Sequence, residues 1–139
     1  MPLISVPVDE FTTPDPVTAN ESMAIDELQR LMAEHGIRHL PVVRDGKVVG
    51  MISDRDLRLV SSLPVTEKLQ VWAADIMSPE PFAMASSTPL DEVAFAMSER
   101  KIGSVIINDE QGQFLGIFTA SDALNALIEI IRSGGTLAP

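Results

Sequence analysis

Two hydrophobic rhythms alternate along this chain, and the alternation runs through it twice. Ile25, Leu28, Leu31 and Met32 recur at helical spacing, as do Leu90, Val93, Ala94 and Met97, so each set predicts a helix with one face in a core. Ser22 and Thr88, the latter followed by Pro89 and Asp91, are the expected N-caps, and Gly36 is the expected stop of the first helix. Beyond these helices, Ile37 to Val43 and Lys47 to Ile52 predict two strands around an Arg44-Asp45-Gly46 turn. Ile102 to Asn108 and Gln113 to Phe118 predict a second hairpin, and a further helix follows each one, near Ser53 to Ser62 and near Ser121 to Arg132. Ahead of each first helix lies a proline-bounded extended stretch, Pro14-Asp15-Pro16-Val17-Thr18 and Pro79-Glu80-Pro81-Phe82-Ala83, because proline and its predecessor both disfavour helix.

The pattern β-α-β-β-α is therefore written twice, and residue identities confirm the duplication. A shift of 65 puts Pro14 on Pro79, Pro16 on Pro81, Asp26 on Asp91, Met32 on Met97 and Ile37 on Ile102. One extra residue in the Asp109-Glu110-Gln111-Gly112 turn moves the shift to 66, which puts Gly50 on Gly116, Ser53 on Thr119 and Asp56 on Asp122. The expected fold class is α/β (α+β), with two β-α-β-β-α repeats packed with pseudo-two-fold symmetry, since one such unit is too small to bury its own faces. We expect a first repeat over 8–62, a linker with a short helical turn over 63–75, a second repeat over 76–132, and a frayed Gly-rich tail over 133–139. Met23, Met32, Met51, Met77, Met84 and Met97 are expected as core filler, with Trp72 and Met77 near the linker also placed to seal an interface between repeats or dimer halves.

Composition narrows the function classes. Ten Lys plus Arg against twenty Asp plus Glu give a net charge of -10, which repels a nucleic-acid backbone and an anionic bilayer. No apolar run is long enough to span a membrane and the start of the chain lacks a secretory signal, so neither nucleic acid nor membrane is an expected partner and a cytoplasmic setting is expected. The absence of cysteine removes thiolate chemistry and Cys-ligated zinc. There is also no Gly-x-Ser-x-Gly elbow, no phosphate loop and no His pair at metal-binding spacing, so a non-enzyme without a required cofactor or metal is expected.

The candidate chemistry sits in the doubled turn Gly50-Met51-Ile52-Ser53-Asp54-Arg55-Asp56 and Gly116-Ile117-Phe118-Thr119-Ala120-Ser121-Asp122. A carboxylate can accept from two vicinal hydroxyls, and a helix N-terminus offers free N–H groups to an anion, so the pair suits a nucleotide. The same Ser/Thr-x-x-Asp pattern also serves as a plain helix cap, and both readings stand at this point. Asp54 and Asp56 read as complements of a helix dipole, His39 as a half-buried strand residue, and His35 as the end of a helix.

With Ile37-Arg38-His39-Leu40-Pro41-Val42-Val43 before the first turn and Asp75-Ile76-Met77-Ser78-Pro79-Glu80-Pro81 opening the second copy, the chain resembles a tandem cystathionine-β-synthase (CBS) domain pair, the Bateman module, over roughly residues 8 to 132. The resemblance implies a regulatory module binding adenosine-containing ligands in clefts between the repeats, often as a disc-shaped homodimer. It places ribose hydroxyls on Asp56 and Asp122, and a phosphate near Ser53 and Thr119. It places adenine against Val17, Thr18, Ile37, His39 and Pro41 in one site, and against Phe82, Ala83, Ile102, Ser104 and Ile106 in the other. Arg38, His39, Arg55, Arg100 and Lys101 are the cations near enough in sequence to meet phosphates. The second copy has Ser121 where the first has Arg55, and Gly103-Ser104 where the first has Arg38-His39, so the two sites are not expected to bind alike.

The leading expectation is an adenine-nucleotide sensor for AMP, ADP or ATP that acts on an unidentified effector protein. Two competing expectations are a ligand-independent interaction or dimerisation module, and a binder of S-adenosylmethionine or a dinucleotide.

Overall fold

The computed structural model describes residues 5–134. In chain order the elements are β1 (Thr13–Pro14), α1 (Ile25–His35), β2 (His39–Arg44), β3 (Lys47–Ser53), α2 (Asp54–Ser61), α3 (Val65–Lys68), α4 (Ala73–Ile76), β4 (Ser78–Pro79), β5 (Ala83–Ala85), α5 (Leu90–Arg100), β6 (Ser104–Asn108), β7 (Phe114–Thr119) and α6 (Ala120–Arg132). A short 3-10 turn, Val8–Glu10, precedes β1. The mixed α/β fold with two repeats follows the hydrophobic rhythm, because each period-2 stretch became a strand and each period-3.6 stretch a helix. Most of the expected tail, residues 135–139, lies outside the described residues.

Two compact units form. One spans Pro16–Pro81 and has a three-stranded sheet in the order β2-β3-β4, with both pairings antiparallel. Its core gathers Ile25, Leu28 and Met32 of α1 onto Leu40, Val42 and Ile52 of the hairpin, with Leu57 of α2. Ala73, within the stretch expected to be a linker, is fully buried in the same core. Its N–H donates to the Met23 carbonyl at 2.9 Å, which ties that stretch to the approach of α1. The extended stretch ahead of α1 forms a single parallel bridge: the Ala19 N–H donates to the Pro41 carbonyl, and the Val43 N–H to the Ala19 carbonyl.

The other unit joins the described residues up to Asp15 to those from Phe82 onward. Its sheet runs β1-β7-β6-β5, with β5 parallel to β6 and the other pairings antiparallel. Val8, Val93, Met97, Val105, Ile107 and Phe118 form its core. The stretch before the first repeat thus pairs with the last strand of the second, while Ser78–Pro79, just before the second repeat, pairs with β3 of the first.

Glycine makes both pairings possible. A Cβ on Gly50 would meet the Met77 side chain, with Cγ at 2.7 Å, and one on Gly116 would collide with the Thr13 backbone and with Thr12 Cγ2 at 2.9 Å. Met77 accordingly packs within its own unit, against the first core.

The capping expectations divide. Gly36 ends α1 in the left-handed conformation as expected, and Lys101 holds that place after α5 with φ 55°. Ser22 does not cap α1: its N–H and hydroxyl both donate to Asn20 Oδ1, at 3.0 and 2.9 Å, which closes a local turn, and the helix begins after Ala24. Thr88 does not cap α5 either, because Pro89 takes that position and the Thr88 N–H is bonded to the Ala85 carbonyl.

Candidate functional site

Each hairpin delivers its last residue to the start of a helix, and the same local geometry arises in both repeats. Ser53 ends β3 opposite His39, and Thr119 ends β7 opposite Ser104. The first helical N–H then reaches back across the hairpin: Asp54 donates to the Arg38 carbonyl at 2.8 Å, and Ala120 to the Gly103 carbonyl at 3.1 Å. These bonds hold the helix start beside the first residues of β2 and β6.

The helix-cap reading is realised in both copies. Ser53 Oγ accepts from the Asp56 N–H at 3.2 Å, and Asp56 Oδ2 accepts from the Ser53 N–H at 2.9 Å. Thr119 Oγ1 accepts from the Asp122 N–H at 3.3 Å, and Asp122 Oδ2 accepts from the Thr119 N–H at 2.8 Å and the Thr119 hydroxyl at 3.1 Å. Capping engages only Oδ2 of each carboxylate, so it does not exclude a second task for Oδ1. Asp54, by contrast, turns to Arg58 at 3.0 Å, so the two acids of Asp54-Arg55-Asp56 serve different partners.

Around Asp56 the structure gathers His39, Ser53 and the Arg38 backbone. His39 is half-buried; burial pushes its pKa below the ordinary histidine value, Arg38 pushes the same way, and the carboxylates of Asp56 and Asp54 counter this without reversing it. The shift favours the uncharged, hydrogen-bonding form of the ring at neutral pH. Arg38 and Arg55 are exposed. Val17 and Thr18 are half-buried ahead of the Ala19 bridge, and buried Pro41 gives its carbonyl to that bridge. Ile37 packs on the first core and, with Arg38, lines a ≈ 520 Å³ groove between α1 and α2 that also includes Met32, Leu57 and Arg58. His39, Ser53 and Asp56 do not line that groove, so it is separate from the carboxylate.

In the other unit, Ser104 lies across from Thr119, and buried Ile106 pairs with Ile117 on one side and with Ala83 on the other. The Phe82 carbonyl accepts from the Ile106 N–H at 2.9 Å, and the Arg100 guanidinium sits 4.1 Å above the Phe82 ring. Arg100 is thus engaged with an aromatic face, whereas Lys101 is exposed at the helix end and Ile102 packs on the second core.

One residue that sequence reasoning passed over joins this group: the Thr13 hydroxyl donates to Asp122 Oδ1 at 3.1 Å. A signal for it existed, because the 65-residue shift aligns Thr13-Pro14 with Ser78-Pro79.

Comparison with known proteins bears on the same stretches. The family model of the CBS domain matches residues 8–63 and again 73–129. A CBS domain-containing protein of Dictyostelium discoideum is 31% identical over 125 residues, covering 83% of this chain and 86% of that protein. Other relatives are longer: the chain spans 23% of an inosine-5′-monophosphate dehydrogenase of Korarchaeum cryptofilum, at 30% identity over 82% of this chain. Among solved structures, CBSX2 in complex with AMP superposes with a TM-score of 0.79 at 27% identity, covering 91% of this chain and 98% of that one. The CBS domain pair of MJ0100, solved with 5′-methylthioadenosine and S-adenosyl-L-methionine, gives 0.77 at 27% identity, covering 96% and 100%. Among the described residues no helix is long and apolar enough to cross a membrane.

Proposed function

Because this chain belongs to the CBS-domain family, with the domain present twice, we propose that it is a regulatory module that binds an adenine nucleotide, AMP, ADP or ATP, as a sensor of energy or metabolite state. The observation that carries this reading is the doubled carboxylate at the helix start: Asp56 and Asp122 each commit Oδ2 to the cap, which leaves Oδ1 outside the cap for ribose hydroxyls, shared at Asp122 with the Thr13 hydroxyl. Each lies in the first turn of its helix, at an N-terminus suited to a phosphate. The AMP complex of CBSX2 supports an adenine nucleotide. The S-adenosyl-L-methionine complex of MJ0100 favours a second reading, in which the same ribose and adenine contacts hold a sulfonium ligand. In both readings the module binds and signals without catalysis.

Thermal unfolding with AMP, ADP, ATP, adenosine and S-adenosylmethionine, after removal of carried-over ligand, tests the proposal. A ligand at 100 times its dissociation constant adds about 2.7 kcal/mol, which raises the midpoint by several degrees. A rise with one nucleotide supports the sensor and names its ligand. No rise with any of the five returns the chain to the interaction-module reading.

The proposal includes pairing of two copies through α6. Leu124, Leu127, Ile128 and Ile131 form an exposed apolar stripe at spacing i, i+3, i+4 and i+7, whereas three of the four aligned positions, Arg58, Ser61 and Ser62 at the end of α2, are polar and only Val65 is apolar. Leu127→Glu is expected to sediment as a monomer where the unaltered chain sediments as a dimer. An equal mass for the two forms removes α6 from the interface.

A further inference from the structure

The acceptor capacity of Asp122 is nearly used up in the structure, and that of Asp56 is not. A carboxylate offers roughly four lone-pair positions. At Asp122 three are taken: Oδ2 by the Thr119 N–H and hydroxyl, and Oδ1 by the Thr13 hydroxyl. A vicinal diol brings two donors to a carboxylate with one position left. At Asp56 the only hydrogen bond accepted among the described residues is that from the Ser53 N–H. Ser78, the residue aligned with Thr13, makes no bond to Asp56 among them, although it pairs with Met51 as Thr13 pairs with Ile117.

We infer that Thr13 is a built-in occupant of the Asp122 carboxylate, so that a nucleotide binding there must displace its hydroxyl while one binding at Asp56 displaces nothing. The inference rests on the ribose role proposed above for both carboxylates. Of the two hydroxyls on Asp122, that of Thr13 is the one to yield, since Thr119 is also held by the N–H of Asp122 as the helix cap, whereas Thr13 is exposed and can turn to water. Thr13 is nevertheless delivered to its place by the fold. Thr13 and Pro14 are registered on Ile117 and Gly116, the Asp15 N–H donates to the Leu115 carbonyl, and the Thr12 hydroxyl donates to the Val8 carbonyl at 2.8 Å. The occupant therefore stays at high local concentration and weakens ligand binding at the second repeat. Binding there also frees a contact of the amino-terminal segment.

Thr13→Val keeps a β-branched strand residue and removes the donor. Calorimetric titration of AMP into Asp56→Ala, with and without T13V, isolates the second repeat. T13V is expected to tighten AMP binding there about 5-fold, the equivalent of one ordinary hydrogen bond. Unchanged or weaker binding with T13V overturns the inference, as does absence of AMP binding in both forms. The double variant Asp56→Ala with Asp122→Ala separates the two levels of argument. If it binds AMP as the unaltered chain does, the ribose reading itself fails. If it does not bind, and T13V still changes nothing, only the role of Thr13 falls.

Discussion

Asp122→Ala is expected to weaken AMP binding at the second repeat by roughly 10- to 100-fold, and Asp56→Ala to do the same at the first. Hydrogen bonds to a charged acceptor contribute about 1.5–3 kcal/mol, and the ribose hydroxyls lose theirs when the carboxylate is removed. Alanine also removes the carboxylate half of the capping box, because the Thr119 N–H loses its 2.8 Å partner while Thr119 Oγ1 keeps the backbone N–H of residue 122, a loss of about 0.5–1.5 kcal/mol of stability. Asp122→Asn separates the two effects. Its amide keeps one acceptor oxygen for the Thr119 N–H but lacks the charge and the second acceptor, so melting changes little while affinity still falls. Calorimetry with AMP alongside thermal melts reads both, and full affinity in either variant removes Asp122 from the ribose site.

Gly116→Ala is expected to cost about 3 kcal/mol in urea unfolding, near the upper end for overpacking, and Gly50→Ala about 1 kcal/mol. The aligned glycines differ in what their missing side chains leave room for. At Gly116 the space is taken by backbone, the carbonyl of Thr13, which cannot yield without lifting β1 off β7. At Gly50 it is taken by the Met77 side chain, whose three rotatable bonds allow part of the clash to relax. Equal costs at the two positions would mean that β1 is not held against β7 as closely as the structure has it. Since β1 carries Thr13, Gly116→Ala should also release the hydroxyl from Asp122, which links this stability test to the ligand site.

The elements were legible wherever a local rule was strong. Asp45 and Gly46 both take positive φ in a two-residue hairpin turn, as an Asp-Gly pair between alternating apolar runs predicts. Caps were legible only where the side chain had no better partner nearby. Ser53 and Thr119 found the N–H three residues on, whereas Asn20 drew Ser22 into its own turn and Pro89 displaced Thr88. The charge of His39 could not be read at all, since it depends on burial and on carboxylates brought near by the hairpin.

The sequence by itself determined that there are two copies of one β-α-β-β-α unit, where their strands and helices lie, and that each copy places a hydroxyl and a carboxylate at a helix start. Those features follow from periodicity, turn chemistry and capping, which act over a few residues. Only the tertiary structure decided that Thr13–Pro14 would lie on β7, that Ser78–Pro79 would lie on β3, and that Ala73 would be buried in the first core. Short proline-bounded segments carry too little periodicity to name their own partner. Their place is set by which sheet edge is open and which glycine admits a backbone, and both exist only once the strands have assembled.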